Sequence, residues 1–192
     1  MSAALKPPAT MTVAEFLVWE PGDHRRWQLV DGEPVAMAPP SDNHSALQSE
    51  LAYLLTAHLI AAGSPCRVGT GPGVILRTLK AENWRIPDLG VTCAPVTDTH
   101  EMPDPVLLVE ILSPGNYRQS RANAWTYMTL PSVREVLVVH GTRIEAELLS
   151  RQPDGSWPAE PVRVHDGGTL ALGGVGLTLP LRAIYRTTSL AA

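Results

Sequence analysis

Two carboxylates stand among apolar neighbours, where charge is expensive. Residues 106–112 read Val-Leu-Leu-Val-Glu-Ile-Leu, a nearly continuous apolar run with Glu110 inside it. Runs of that kind form central strands covered on both faces. A buried, unpaired carboxylate costs several kcal/mol, so Glu110 needs a cation or hydrogen-bond donors. Asp88, in Arg85-Ile86-Pro87-Asp88-Leu89-Gly90-Val91, has the same character. If the two strands pair, the carboxylate oxygens converge on one hard cation such as magnesium or manganese. Such a cation stabilises charge on a phosphoryl oxygen and activates a water. The same two acids also fit a plainer role, as strand-end caps or as ion-pair partners of Arg85 or Arg118.

Other reactive side chains are less well arranged. His24, His58, His100, His140 and His165 have no HxxxH spacing, so no zinc site is expected. Gly69, Gly71 and Gly73 form G-x-G-x-G, but between two strands, which reads as a tight turn rather than a phosphate cradle. Ser113 lacks a G-x-S-x-G context. Trp19, Trp27, Trp84, Trp125 and Trp157 are dispersed and read as packing residues. His44 is a candidate base or substrate contact. Arg118 and Arg121 can place positive charge near a phosphate, but a guanidinium stays protonated and is no general base.

The elements that must position these groups follow from patterning. Thr12-Val13-Ala14-Glu15 is a capping box that opens a short helix, stopped by Pro21-Gly22. Residues 26–37 alternate around Asp31-Gly32, a hairpin signal. Ser41, Asp42 and Asn43 offer N-caps for a long helix with Leu47, Leu51, Leu54, Leu55 and Leu59 on one stripe and a stop at Gly63. Strands are expected over 66–70, 74–78, 85–93 and 106–112. A helix is expected over 116–129, with Ala122, Trp125 and Met128 or Thr129 inward. Strands follow at 135–140 and 143–149, then one or two edge strands within 157–172, and a last helical turn at 181–185. The strand, helix, strand order from 106 to 140 predicts a βαβ crossover. The fold class is therefore α/β (α+β), with a mixed sheet flanked by helices.

At 192 residues, 44% hydrophobic and 18% charged, the chain is long enough for one domain with a buried core. The expected division is a tail over 1–11, one domain over 12–186 and a tail over 187–192. No apolar run is long enough to span a bilayer, and residues 1–10 carry no apolar stretch for a secretory signal. Cys66 and Cys93 make no disulfide scaffold and no CxxC motif, so a cytoplasmic home is the default. Net charge is −4, which argues against a general basic coat but leaves room for a local basic patch. Arginine outnumbers lysine thirteen to two, and the lysines are Lys6 and Lys80.

The ordered set of motifs resembles the Uma-type restriction endonucleases of the PD-(D/E)XK nuclease superfamily. Pro87-Asp88 is followed 22 positions later by Glu110-Ile111-Leu112-Ser113-Pro114. Trp27-Gln28-Leu29-Val30-Asp31-Gly32-Glu33 is similar to the family's entry motif. Met37-Ala38-Pro39-Pro40-Ser41 with His44 opens the long helix, and residues 131–139 continue the likeness. The resemblance implies a restriction-endonuclease-like core and metal-dependent cleavage of DNA phosphodiesters. It also implies that Asp88 and Glu110 are the metal ligands and catalytic acids. Gln28 stands at the position of the family's N-terminal glutamate. The superfamily lysine falls on Leu112, and the lysine that many members carry on the next helix falls at about Ala124.

Two functions are therefore expected. One is an endonuclease using magnesium or manganese, with Asp88, Glu110, Gln28 and Arg121 catalytic and with Arg118 and His44 contacting substrate. The other is an inactive nuclease-fold protein that binds nucleic acid or a protein partner. A homodimer is plausible by symmetry, since domains of this size often need two copies to embrace a duplex.

Overall fold

The structure, a computed structural model, describes residues 10–77 and 82–191; Lys6 and Lys80 lie outside them. The first helix, α1 (Val13–Leu17), carries the full capping box between Thr12 and Glu15. Strands β1 (Trp27–Val30) and β2 (Glu33–Ala36) form the expected hairpin. Asp31 and Gly32 both have positive φ, at 50° and 82°, as a two-residue primed turn requires. The long helix α2 (Asp42–Ala61) starts at Ser41, whose side chain accepts from the His44 N–H. Its leucines 47, 51, 55 and 59 are buried.

Next come β3 (Arg67–Thr70), β4 (Val74–Arg77), β5 (Glu82–Arg85) and β6 (Leu89–Thr92). The single strand expected over 85–93 is in fact two strands in different sheets. The break is Ile86-Pro87-Asp88, where proline has no N–H to give a ladder. Strand β7 (Pro105–Leu112), helix α3 (Tyr117–Tyr127) and β8 (Glu135–His140) complete the expected crossover, and β7 and β8 are parallel. After β9 (Glu145–Ser150) and β10 (Val162–His165), strands β11 (Thr169–Leu172) and β12 (Leu177–Pro180) make a hairpin. The chain then enters a 3₁₀ turn, Leu181–Tyr185. Strand β12 has no counterpart in the sequence expectation.

The main sheet has six strands in the order β10-β9-β8-β7-β6-β3, and a second sheet runs β2-β1-β5-β4. Strand β7 is central, and its two faces do different work. Leu107, Val109 and Ile111 pack with the α2 leucines. Leu108 and Leu112 face the other way, into a cluster with Ala124 and Tyr127 of α3. Glu110 shares the parity of that second face. Helix α3 therefore lies over an apolar strand with one acid in it.

That acid reverses the inward face expected for α3. Trp125 is 49% exposed, and Ala122 is also exposed. The buried residues are Ser120, Asn123, Ala124 and Tyr127. The helix turns hydrogen-bonding groups inward because a buried carboxylate must be met by donors.

Cys66 and Cys93 form a disulfide at the end of the β3–β6 ladder, where Arg67 pairs with Thr92. The sequence reading assigned them no such bond. It links positions 27 apart and ties the start of edge strand β3 to the end of its neighbour β6. Cys66→Ser should cost about 2 kcal/mol in urea unfolding of the oxidised protein, because the ladder already holds part of the loop. No difference from wild type would mean that the crosslink adds nothing to the ladder.

Candidate active site

The register of β6 on β7 pairs Leu89 with Val109. One step further along the same register, Asp88 stands opposite Glu110. Both acids line one cavity of about 130 Å³, together with Gln28, Asn116, Gln119 and Asn123. The pairing that the sequence left conditional is thus made by the β-break at Pro87. It releases Asp88 from the ladder while keeping it beside β7.

Asp88 is fixed from both sides. Its Oδ2 accepts the Ile111 backbone N–H at 2.6 Å, and its Oδ1 lies 3.1 Å from His44 Nε2. Its carbonyl accepts from Gln48 Nε2 at 2.7 Å and from the Gly71 N–H at 2.9 Å. Glu110 is 3% exposed and is met by donors from α3. Tyr127 donates its O–H to Glu110 Oε1 at 2.6 Å, and Asn123 Nδ2 donates to the same oxygen at 3.1 Å. The same Asn123 amino group reaches Gln28 Oε1 at 3.2 Å, which also accepts the Ile86 N–H at 3.2 Å. Gln119 Nε2 in turn donates to Asn123 Oδ1 at 3.0 Å and fixes that amide's orientation.

Burial pushes the Glu110 carboxyl up to about 8, and the neighbouring charge of Asp88 adds to the effect. Hydrogen bonds from Tyr127, Ser120 and Asn123 pull the other way without cancelling it. Arg85, buried on β5, supplies a more distant countercharge and hydrogen-bonds Asn83 Oδ1 at 3.1 Å. Two carboxylates and the amide oxygen of Gln28 form an all-oxygen set, the chemistry that suits magnesium or manganese. A cation between Asp88 and Glu110 also relieves the repulsion that holds Glu110 protonated. The residues present therefore fit a hard divalent ion.

Tyr127→Phe tests the donor set on its own. It leaves a buried carboxyl short of one hydrogen bond, which should cost about 1–2 kcal/mol in urea unfolding. A neutral result would mean that Asn123 and Ser120 suffice.

The structure brings Gln28 and His44 to the acids, but not the two arginines. Arg121 turns toward β9, where its Nη1 and Nη2 donate to Glu147 at 2.7 and 2.5 Å. Arg118 is exposed on the first turn of α3 and does not line the acid cavity. Leu112 and Ala124 are both buried in the apolar cluster beside Glu110. The helix side chains that reach Glu110 are Ser120, Asn123 and, one turn later, Tyr127. Sequence reading missed all three. The signal was there in the polar set Gln119, Ser120, Asn123 and Tyr127, which recurs at helical spacing opposite a strand with a buried acid.

A second polar cluster was also missed. His140, Glu145 and Glu147 bring ligand-type atoms within 4.8 Å of one another. Arg121 pairs with Glu147, and Arg143 pairs with Glu145 at 3.0 Å. Burial works against the Glu147 charge, yet hydrogen bonds from Arg121 and His140 hold its carboxyl down at about 2. Two guanidinium charges already balance two carboxylates, so this cluster is a charge-neutral tie between α3 and β9. It also holds in place the helix that carries Asn123 and Tyr127.

Residues 13–182 match the Uma2 family, whose description is "Putative restriction endonuclease". The chain belongs to the Uma2 family. The uncharacterized protein slr1290 of Synechocystis sp. is 30% identical over 183 residues, covering 94% of each chain. Among solved structures, a protein from Anabaena variabilis described as "a putative nuclease belonging to DUF820" shares the fold. It has a TM-score of 0.72 and 16% sequence identity, over 91% of this chain and 97% of that one. From α3 it is Asn123 that reaches Glu110, while the neighbouring Ala124 packs into the apolar cluster.

Proposed function

We propose that this Uma2 chain is a divalent-metal-dependent nuclease that hydrolyses DNA phosphodiesters, with Asp88 and Glu110 as the metal-binding acids. The observation that carries the reading is the pairing of these acids across β6 and β7 in one cavity. A bound cation would supply Lewis acidity toward a phosphoryl oxygen. The chain's own residues do the positioning. His44 and the Ile111 N–H hold the Asp88 carboxylate in one orientation. Tyr127 and Asn123 hold Glu110, and Asn123 ties it to Gln28. Arg121 acts at one remove, by anchoring α3 through Glu147. Arg118 is exposed at the start of α3, outside the acid cavity.

The test is nicking of supercoiled plasmid in manganese or magnesium, with a chelator control. Asp88→Asn should remove the metal-dependent signal. Wild-type-like nicking by that variant would end the assignment.

Two features favour the inactive alternative: no lysine lines the acid cavity among the described residues, and Gln28 is neutral. A thermal shift separates cation binding from catalysis. Metal at ten times its Kd should stabilise the fold by about 1.4 kcal/mol. A shift lost in Asp88→Asn, with neither plasmid nor a single-stranded oligonucleotide cut, would identify a metal-binding protein with no nuclease activity.

A further inference from the structure

A second cavity, of about 290 Å³, adjoins the acid cavity and shares Asp88, Asn116, Met37 and Ala38 with it. Its remaining walls differ in chemistry. On one side are His24, Arg25 and Arg26, from the segment before β1. Met37, Pro39 and Pro40 line it from the segment between β2 and α2. Cations beside a small apolar surface suit a ligand with one anionic group and one flat apolar group.

The cations are not equivalent. Arg25 is paired with Asp23 at 2.6 Å and lies over the Trp27 ring. Arg26 is exposed and has no carboxylate partner among the described residues. Its Nη2 donates to the Gly71 carbonyl at 3.4 Å. Gly71 is held beside the first acid, since its N–H donates to the Asp88 carbonyl. Gly71 has φ +56°, and a Cβ there would collide with the Arg26 guanidinium. The Arg26 guanidinium thus rests on a turn whose backbone is tied to that of Asp88, with no carboxylate of its own among the described residues.

We propose that this trench is a subsite for one unstacked nucleotide beside the scissile phosphodiester, so that the strand recognised is single-stranded. The phosphate sits at Arg26, and the base lies against Met37, Pro39 and Pro40. The proposal rests on the nuclease reading and adds the form of the substrate. Bases in an intact duplex are stacked inward and can enter such a recess only by being flipped out, which costs unpairing energy. Single strands present their bases freely and are held by backbone charge plus contact with the base face.

The experiment is fluorescence anisotropy without divalent metal, using a labelled single-stranded 12-mer, its duplex, and the same single strand carrying abasic sites. The single strand should bind at least tenfold more tightly than the duplex, and the abasic strand several-fold more weakly than the intact one. Arg26→Ala should weaken single-strand binding and lower the slope of log K against log salt by about 0.7, the loss of one phosphate contact. Arg26→Lys should keep that slope, which separates lost charge from a disturbed turn. Equal or tighter duplex binding, no binding of any strand, or an unchanged slope in Arg26→Ala would overturn the subsite. A parallel cleavage assay in manganese keeps the two proposals apart. Strands that bind as described but stay uncut would sink the nuclease reading and leave the subsite standing. Cutting without the single-strand preference would do the reverse.

Discussion

Glu110→Gln is expected to lower metal-dependent cleavage at least about 10²-fold while the protein stays folded. The magnitude follows from losing a group that acts directly on the charge developing in the reaction, where one missing donor already costs 10²–10³-fold. Folding should survive because glutamine keeps the shape of the carboxyl and carries no charge, which burial disfavours at this position. Its carbonyl can still accept from Tyr127 and Asn123, the two donors on Glu110 Oε1. Circular dichroism and urea unfolding check the fold, and plasmid nicking with manganese checks activity. Wild-type nicking rates in a folded Glu110→Gln protein would remove Glu110 from the chemistry.

The second large effect is on stability against pH. Glu110 keeps its proton up to about 8 in the folded protein, against an ordinary value of 4.5. Between those two values the folded state binds a proton that the unfolded chain releases. The stabilisation is complete below the unfolded value and is lost as pH rises toward the folded one. The loss is at most about 1.4 kcal/mol per pH unit. Glu147 works in the opposite direction and in another window. Its carboxyl is held at about 2, so its contribution is lost only as pH falls below the ordinary 4.5. Urea unfolding from pH 5 to 9 should therefore show wild-type stability declining, and Glu110→Gln should flatten the decline. Manganese should restore stability most at the alkaline end, where Glu110 gives up its proton most easily. A wild-type profile that is level from pH 5 to 9 would show that Glu110 is ionised in the metal-free protein.

Much of the architecture is legible along the chain, because local chemistry sets it. The Thr12–Glu15 capping box, the Asp31-Gly32 turn and the α2 leucine stripe each act over a few residues. The Uma2 motifs also marked Asp88 and Glu110 as a pair. Where reading failed, the deciding partner lay far away in sequence. Residues 85–93 look like one strand, yet Pro87 divides them between two sheets. Helix α3 looks as if it buries Trp125, yet it buries Asn123 and Tyr127, because Glu110 lies beneath it.

Composition and order alone determined that this chain builds a mixed α/β core and carries one acid on a central apolar strand and another 22 positions earlier in an apolar stretch read as a strand. Only the tertiary structure decided what surrounds those acids. His44 arrives from α2, Gln28 from β1 and Asn123 from α3, while Arg121 is drawn away by Glu147. The physical reason is that a buried carboxylate is satisfied by whichever donors packing brings within hydrogen-bonding distance. That selection depends on helix rotation and strand register, which no local stretch of sequence specifies.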